Sequence, residues 1–231
     1  PQWVSANNLI TTNKSRNDVR YVIGMKINTF KKIPSRYKSI LHKNKTAWFM
    51  LGYYLGNGWL NPDKSTSTFY FVDSYHKNPN IVKNIIKLFT KVDINTHTGC
   101  VKYAIIHKEW YSMLSEFQHN TIIPYWIHNA NTKYINLFLK GYNTTHKHLV
   151  LNLTSLQYVS KYKDVILSLQ RLYLKLGIFT YISDYSDFLY YNNGQMLKAD
   201  TGFALKVQLE EQQISNYSFI KDGYAWFDIS Q

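Results

Sequence analysis

Apolar residues recur along this chain at two spacings, and each spacing predicts one kind of element. Alternating apolar and polar residues predict half-buried strands, whereas apolar residues three or four positions apart predict helices with one buried face. The predicted helices lie at 47–55, 79–89, 108–117, 131–143 and 155–176. The predicted strands lie at 67–72, 92–97, 100–106, 148–153, 178–184 and 202–209. The order helix, strand, helix, strand, strand thus occurs twice, which predicts two divergent repeats.

Several residues predict where these elements begin and end. Thr46 is expected to cap the first helix, because a hydroxyl at that position accepts a hydrogen bond from a free backbone N–H. Gly56 and Gly58 are expected to end it. Thr154 or Ser155 is expected to cap the long helix of the second half. An Asn-Asn-Gly run at 192–194 predicts a loop between the last two strands.

The chain is strongly basic, and the excess charge is uneven. Its 231 residues carry a formal net charge of +13, which favours a polyanionic partner. Much of the excess lies in residues 1–45, where Asp18 is the only acid. A basic segment of this kind is suited to following a phosphate backbone, although it could equally be a solvated flank.

Composition also excludes several classes of protein. The chain has a single cysteine, Cys100, so it has no internal disulfide framework and no cysteine-based zinc cluster. No apolar run is long enough to span a membrane. We therefore expect an intracellular protein in a reducing compartment, such as the cytoplasm, the nucleus or an organelle, with no membrane partner.

Two short segments, 50–59 and 137–147, share a pattern of glycines and aromatic residues. Gly52 and Gly56 are four residues apart, as are Gly141 and Thr145, so each pair lines one face of its helix and allows close packing. Aligned on Gly52-Tyr53 and Gly141-Tyr142, both segments resemble the signature helix of the LAGLIDADG homing endonucleases. By itself the glycine spacing is common, but two copies in matching contexts make it informative.

The resemblance implies an α+β fold with two pseudo-symmetric αββαββα repeats and a basic N-terminal flank. The expected boundaries are residues 1–45 for the flank, 46–129 for the first repeat and 130–231 for the second. It also implies that the two signature helices pack together at the centre and that each repeat lays a sheet in the DNA major groove. In the family, acids at the helix ends bind a divalent metal, usually Mg²⁺, and both strands are cut.

This chain departs from the family pattern at both metal-binding positions. The expected aspartate is replaced by Asn57 in the first helix and by His146 in the second. An amide carbonyl is a poor Mg²⁺ ligand, and an imidazole nitrogen suits other metals better. We therefore expect no metal site and no cleavage. Two alternatives remain open: an active site-specific endonuclease, and a maturase-like RNA-binding protein.

Further segments resemble inteins that carry such endonucleases. Residues 122–130 resemble the Ile-Pro segment that precedes the second signature helix, and 169–178 resemble a leucine-rich helix with a Leu-Gly-Ile exit. Residues 3–9 resemble a stretch of an intein splicing domain, and residues 222–229 resemble the strand that returns to that domain. The resemblance thus implies an intein origin.

The expected partner is double-stranded DNA, with RNA as the alternative, bound by a monomer with internal pseudo-two-fold symmetry. The outward residues of the predicted strands are the expected DNA contacts: Thr68, Tyr70, Lys102, His148, Asn152, Lys206 and Gln208. In the helix seam, replacing Gly52 or Gly141 by leucine should force the helices apart. We expect Gly52→Ala to cost less, because alanine suits a helix.

Overall fold

The computed structural model describes ten segments of the chain: residues 22–26, 33–74, 79–97, 99–145, 149–152, 155–178, 180–192, 195–208, 219–221 and 224–228. They form two repeats, each with helices packed on an antiparallel sheet, and a small third sheet. The fold is α+β, as the sequence predicts. Within the described segments, no helix is both long and apolar enough to cross a bilayer.

The first repeat follows a short helix α1 (Lys38–Leu41) and has the order αββαββα. Its elements are α2 (Lys45–Asn57), β2 (Gly58–Leu60), β3 (Thr68–Ser74), α3 (Pro79–Ile86), β4 (Val92–His97), β5 (Cys100–Ile106) and α4 (Lys108–Ser115). The strands pair antiparallel in the order β2-β3-β5-β4. The predicted β4 and β5 are confirmed, whereas β2 is a strand that hydrophobic periodicity did not reveal.

The second repeat builds the same order as far as the described residues extend. Helix α5 (Tyr125–His128) connects the repeats. The elements that follow are α6 (Thr132–Thr145), β6 (Leu149–Asn152), β7 (Ser155–Ser160), α7 (Lys163–Lys175), β8 (Thr180–Asn192) and β9 (Gln195–Gln208). Its strands pair in the order β6-β7-β9-β8, which places each strand where the first repeat places its counterpart.

A third sheet joins the two ends of the described chain. It contains β1 (Val22–Lys26), β10 (Phe219–Lys221) and β11 (Tyr224–Asp228), in the order β1-β11-β10. Val22 pairs with Asp228, and Lys26 pairs with Tyr224. The last strands therefore pair with the N-terminal flank rather than with the sheet of the second repeat.

The predicted cap of the first signature helix is wrong. Asn44, not Thr46, is the N-cap, and its side-chain oxygen accepts a hydrogen bond from Ala47 N at 3.0 Å. Asparagine is at least as good a cap as threonine, so the helix begins at the earlier residue. Gly56 lies inside the helix, which ends at Asn57, and Gly58 follows in an extended conformation.

The predicted helix at 155–176 is also wrong at its start. Residues Ser155–Ser160 form β7, and α7 begins only at Lys163. Tyr158 is fully buried, and its neighbours on β9 and α7 are apolar residues of the core. The backbone groups of this segment pair with β6 on one side and β9 on the other, so the segment is a strand although a helical stripe follows it directly.

One core runs through both repeats. The largest fully buried side chains are aromatic, and they come from helices and strands alike: Trp48, Tyr54, Phe69, Phe71, Phe117, Phe138 and Tyr158. Phe117 from the first repeat stacks on Phe138 of α6, with ring centroids 6.4 Å apart. The aromatic content of the sequence is thus used to bind the two repeats together.

Candidate nucleic-acid interface

The two signature helices, α2 and α6, pack backbone against backbone. A Cβ atom placed on Gly52 would overlap the carbonyl oxygen of Phe138 and would lie 2.8 Å from Tyr142 N. A Cβ atom placed on Gly141 would overlap the carbonyl oxygen of Phe49. The contact is therefore reciprocal, with each glycine lying against the backbone of the other helix.

This close approach adds a cost for Gly52→Ala that helix propensity alone does not predict. Alanine suits a helix, but its Cβ has no space here, because the atoms it would meet belong to the backbone and cannot rotate away. The gain in helix propensity from alanine is therefore smaller than the cost of the steric overlap between the two helices. Further along the seam, Gly56 and Thr145 are partly exposed, and the Thr145 hydroxyl donates to Tyr142 O at 2.7 Å.

The C-terminal end of α2 carries Asn57, which is held against β3. Its side-chain Nδ2 donates to Val72 O at 3.2 Å, and the Tyr53 hydroxyl donates to the same oxygen at 3.1 Å. Two donors therefore converge on one carbonyl. A carboxylate at position 57 could not replace the amide, because it has no proton to donate at neutral pH.

The structure places a buried acid, Asp73, next to this site. Asp73 follows Val72 on β3 and is 4% exposed. Burial first, and then the negative charge of Asp73, raise the pKa of both Tyr53 and Tyr103. Sequence analysis did not select Asp73, because it occupies an apolar-facing position in a strand whose neighbours are aromatic. An acid at such a position is the signal that could have identified it.

The described residues do not fit a magnesium centre. No group of three or more His, Cys, Asp or Glu side chains lies close enough together within the described part of the chain to hold a metal. Asn57 offers a neutral amide whose nitrogen donates a hydrogen bond to Val72 O. At the end of α6, the Thr144 hydroxyl donates to Lys140 O at 2.8 Å, and His146 lies outside the described residues.

The outward face of the first sheet brings together two of the predicted contacts and one residue that was not predicted. Lys102 Nζ lies 4.2 Å from the ring centroid of Tyr70 and 5.3 Å from that of Trp59. The Trp59 and Tyr70 rings stack with centroids 5.3 Å apart. Thr68 is a correction: it is only 7% exposed, so its side chain is not available to a ligand. Its hydroxyl donates to Thr66 O instead.

The outward face of the second sheet presents a related arrangement. Lys206 lies on β9, the strand that occupies the place of β5 in the sheet order, and its Nζ lies 5.3 Å from the ring centroid of Tyr181. Asn152 and Gln208 both pair with Ser155, so they share one row across the sheet. His148 lies outside the described residues.

Comparison with known proteins shows likeness in structure only. No protein-family model and no curated protein matches the chain. A structure of mesophilic variants of the homing endonuclease I-DmoI aligns with a TM-score of 0.50 and 14% identity, covering 72% of this chain and 90% of that one. A variant of I-DmoI in complex with its target DNA in the presence of magnesium also aligns with a TM-score of 0.50, at 15% identity and the same coverage.

At this level of identity, the likeness shows the fold and not the chemistry. The described chain therefore has the α+β fold of a homing endonuclease. The proteins that share this fold include one bound to its DNA target.

Proposed function

We propose that this protein binds double-stranded DNA through the outward faces of its two sheets and does not cleave it. Its similarity in fold to an endonuclease crystallised on its target DNA supports the binding half. The chemistry of the sheet faces agrees with this. Each presents a lysine on its third strand, Lys102 or Lys206, and the whole chain carries a net charge of +13.

The observation that supports loss of cleavage is the hydrogen bond from Asn57 Nδ2 to Val72 O. Hydrolysis of a phosphodiester assisted by Mg²⁺ needs anionic oxygen ligands. Position 57 instead supplies a neutral amide, and the surrounding structure uses that amide as a donor. The end of the helix is thus built around a group that is unsuited to holding the metal.

An intein origin is the third part of the proposal. The pairing of β1 with β11 supports it, since that pairing brings the N-terminal flank and the last described strand into one sheet. A DNA-binding unit inserted into another domain must leave and re-enter that domain at adjacent points. Of the two segments that resemble a splicing domain, 222–229 contains β11 and 3–9 precedes β1 in the sequence.

Selection of bound duplexes from a random DNA pool tests the binding half. We expect an enriched sequence whose affinity falls with salt, by about 0.9 in log affinity per log salt for each phosphate neutralised. The paired change Lys102→Ala with Lys206→Ala should lower affinity and reduce that slope. Lys83→Ala with Lys87→Ala is the matched control, because both lysines are exposed beside α3, away from the sheet faces.

The selected duplexes then test cleavage. Incubated with Mg²⁺ or Mn²⁺, they should remain intact. Metal-dependent cutting that is lost in Asn57→Ala would overturn the cleavage half, while leaving the binding half in place. Absence of any enriched duplex, or equal effects of the two lysine pairs, would overturn the binding half.

One observation favours RNA as the second candidate partner. Trp59 and Tyr70 form a stacked aromatic pair on the proposed binding face. Exposed aromatic side chains on a sheet are a common means of binding unpaired bases, which are more frequent in structured RNA than in duplex DNA. Competition of a structured RNA against the selected duplex distinguishes the two partners.

A further inference from the structure

Three side chains form a compact group on the outward face of the first sheet, which we call the aromatic platform: Trp59, Tyr70 and Lys102. The two rings stack at an interplanar angle of 26°. All three residues are partly exposed. The opposite face of the sheet packs into the core, where Phe69 and Phe71 are fully buried. The aromatic platform is thus separate from the hydrophobic core.

The sheet leaves room beside these rings. Strand register places Trp59, Tyr70, Ala104 and Asp93 in one row across four strands. Neighbouring strands are about 4.8 Å apart. The small side chain of Ala104 therefore leaves a shallow gap next to the Tyr70 ring, and this gap is about as wide as one planar group is thick. Asp93, which is exposed, closes the row at the sheet edge with a negative charge and so disfavours phosphate on that side.

Lys102 lies over the rings, but a ligand that stacks on them can displace it. An exposed cation–π contact changes affinity by only about 2- to 5-fold, whereas stacking of a base on an aromatic side chain changes it by about 5- to 150-fold. A base that stacks on Tyr70 can therefore displace the Lys102 ammonium. The displaced ammonium group then remains close enough to pair with the phosphate of the same nucleotide.

We infer that the aromatic platform binds an unpaired nucleobase, in a single strand or at a bulge, with Lys102 on the adjacent phosphate. The inference rests on the proposed function in assuming a nucleic-acid partner. It goes further by naming the state of the ligand, because a base inside an intact duplex does not expose its π-face. On the second sheet, Lys206 lies over the ring of Tyr181, and the described residues place no second ring against it.

Binding of labelled oligonucleotides to the full chain tests this inference. The probes are a short oligo(dT) strand, the matching oligo(rU) strand, and the duplex of oligo(dT) with oligo(dA). The test variant combines Trp59→Leu with Tyr70→Leu. Tyr125→Leu is the control, since Tyr125 is 73% exposed but lies on α5, away from the sheets.

We expect the double variant to lose about 5-fold or more in affinity for the single strands and less than about 2-fold for the duplex. Tyr125→Leu should change neither. Trp59→Phe, which keeps a ring, should restore most of the single-strand affinity when Tyr70 is intact. The oligo(dT) and oligo(rU) arms show whether the unpaired base comes from DNA or RNA. A melting curve of each variant verifies that the fold is retained.

Unchanged single-strand affinity in the double variant would overturn the inference, as would equal losses for single strand and duplex. If the parent protein binds the duplex but not the single strands, the inference fails and the proposed function stands. If it binds single strands through the aromatic platform but neither this duplex nor any duplex of the random pool, the proposed duplex function fails and the inference stands. If it binds neither single strands nor any duplex, both fail.

Discussion

The two repeats share a backbone plan but differ in the polar groups buried beside their shared helices. Gly52 and Gly141 hold equivalent places in the seam, and two residues later the chain has Tyr54 in one repeat and Asn143 in the other. The Tyr54 hydroxyl is buried and has no hydrogen-bond partner among the described residues. The Asn143 side-chain oxygen, by contrast, accepts hydrogen bonds from two tyrosines.

These tyrosines complete a small network in the second repeat. The Tyr158 hydroxyl donates to Asn143 Oδ1 at 2.6 Å and lies 2.6 Å from the Tyr173 hydroxyl. Tyr173 also donates to Asn143 Oδ1, at 3.3 Å. Burial, and then the neighbouring Tyr173, raise the pKa of Tyr158, so its hydroxyl remains protonated. At this position beside the seam, the second repeat thus satisfies its buried hydroxyls, whereas the first leaves that of Tyr54 without a partner among the described residues.

This contrast shows that the close contact of α2 and α6 constrains the backbone of both helices. It does not constrain which polar side chains lie beside them. Where two backbones touch, only glycine is possible, and both repeats have it. Two residues further along each helix, the chain tolerates either an unpartnered tyrosine or an asparagine that organises a network. A fold held by such contact can keep its shape while its functional groups change.

The largest expected effect comes from a methyl group in the seam. Gly52→Ala and Gly141→Ala should each destabilise the protein by about 3 kcal/mol, because overpacking against rigid backbone costs at the upper end of the usual range or beyond it. Thermal unfolding of each variant measures the loss. The two should be similar, since the contact is reciprocal.

Asn136→Ala is the matched control for this pair. Asn136 lies on α6 and is exposed, so alanine there should be neutral or slightly stabilising. If Gly52→Ala melts at the parental temperature, the close approach of α2 and α6 is wrong, and with it the comparison of the two repeats. If only one glycine variant is destabilised, the contact is not reciprocal.

Much of this fold could be predicted from sequence, because it depends on local patterns. The two strands of the β4–β5 hairpin were predicted from alternation, and Gly99 lies in the turn between them. The strand Ser155–Ser160 was missed because a helical stripe follows it directly, so its burial depends on pairing with a distant strand. The full length of β8 and β9 was missed for a different reason: the two strands pair with each other as a hairpin that continues as far as Asn192 and Gln195, beyond the alternating core residues.

The candidate site was only partly predictable. Lys102 and Tyr70 were selected because they alternate with core residues, and the structure brings them together. Trp59 was missed because β2 has only three residues, which is too short for a pattern. Thr68 follows the same alternation as Tyr70 but is covered at the start of its strand. Alternation identifies a face of a sheet, but not which of its residues remain exposed.

His128, in the segment between the repeats, should make the free energy of unfolding sensitive to acid. His128 is 7% exposed, and burial, followed by the positive charges of Lys175 and Arg171, lowers its pKa to about 4. Folding therefore favours the neutral ring, and the stabilisation should be lost as pH falls from about 6.5 towards 4. The loss should be on the order of 3 kcal/mol at the low end, since a tenfold change in proton affinity between the unfolded and folded states corresponds to about 1.4 kcal/mol.

Unfolding at a series of pH values, in the parent and in His128→Phe, measures this effect. The variant should lose less stability than the parent between pH 6.5 and 4. That result would assign the acid sensitivity to His128. The segment that carries it is tied to both repeats, because Lys175 of α7 donates to the His128 carbonyl and Trp126 donates to Glu116 of the first repeat, at 2.7 Å. Parallel pH curves for the two proteins would show that His128 is not the group responsible.

Removing one hydroxyl from each repeat tests the contrast directly. Tyr158→Phe should destabilise the protein by about 1–3 kcal/mol, because it breaks a buried network and leaves its partners undersatisfied. Tyr54→Phe should be neutral or stabilising by about 1 kcal/mol, since the hydroxyl lost was buried without a partner among the described residues. Both substitutions keep the ring and its packing, so each is the other's control. Equal losses would mean that the two buried sites do not differ.

The smallest expected effect concerns Asn57, at the end of the first signature helix. In Asn57→Asp, the carboxylate would face Val72 O in place of the donating amide, and the new acid's pKa would rise above its usual value because its ionised form is disfavoured there. A group of this kind stabilises the fold while protonated, and the contribution is lost as pH rises through its folded pKa.

We expect Asn57→Asp to cost about 1 kcal/mol relative to the parent at pH 7 and less at pH 4, where the protonated acid can donate to Val72 O. Asn57→Ala loses the donor without adding charge, so its cost should not vary with pH. Unfolding of the three proteins at both pH values tests this expectation. If Asn57→Asp matches the parent at pH 7, the helix end accepts an anion as readily as an amide, and the departure from the homing-endonuclease pattern at position 57 would be a change of one side chain rather than of the structure around it.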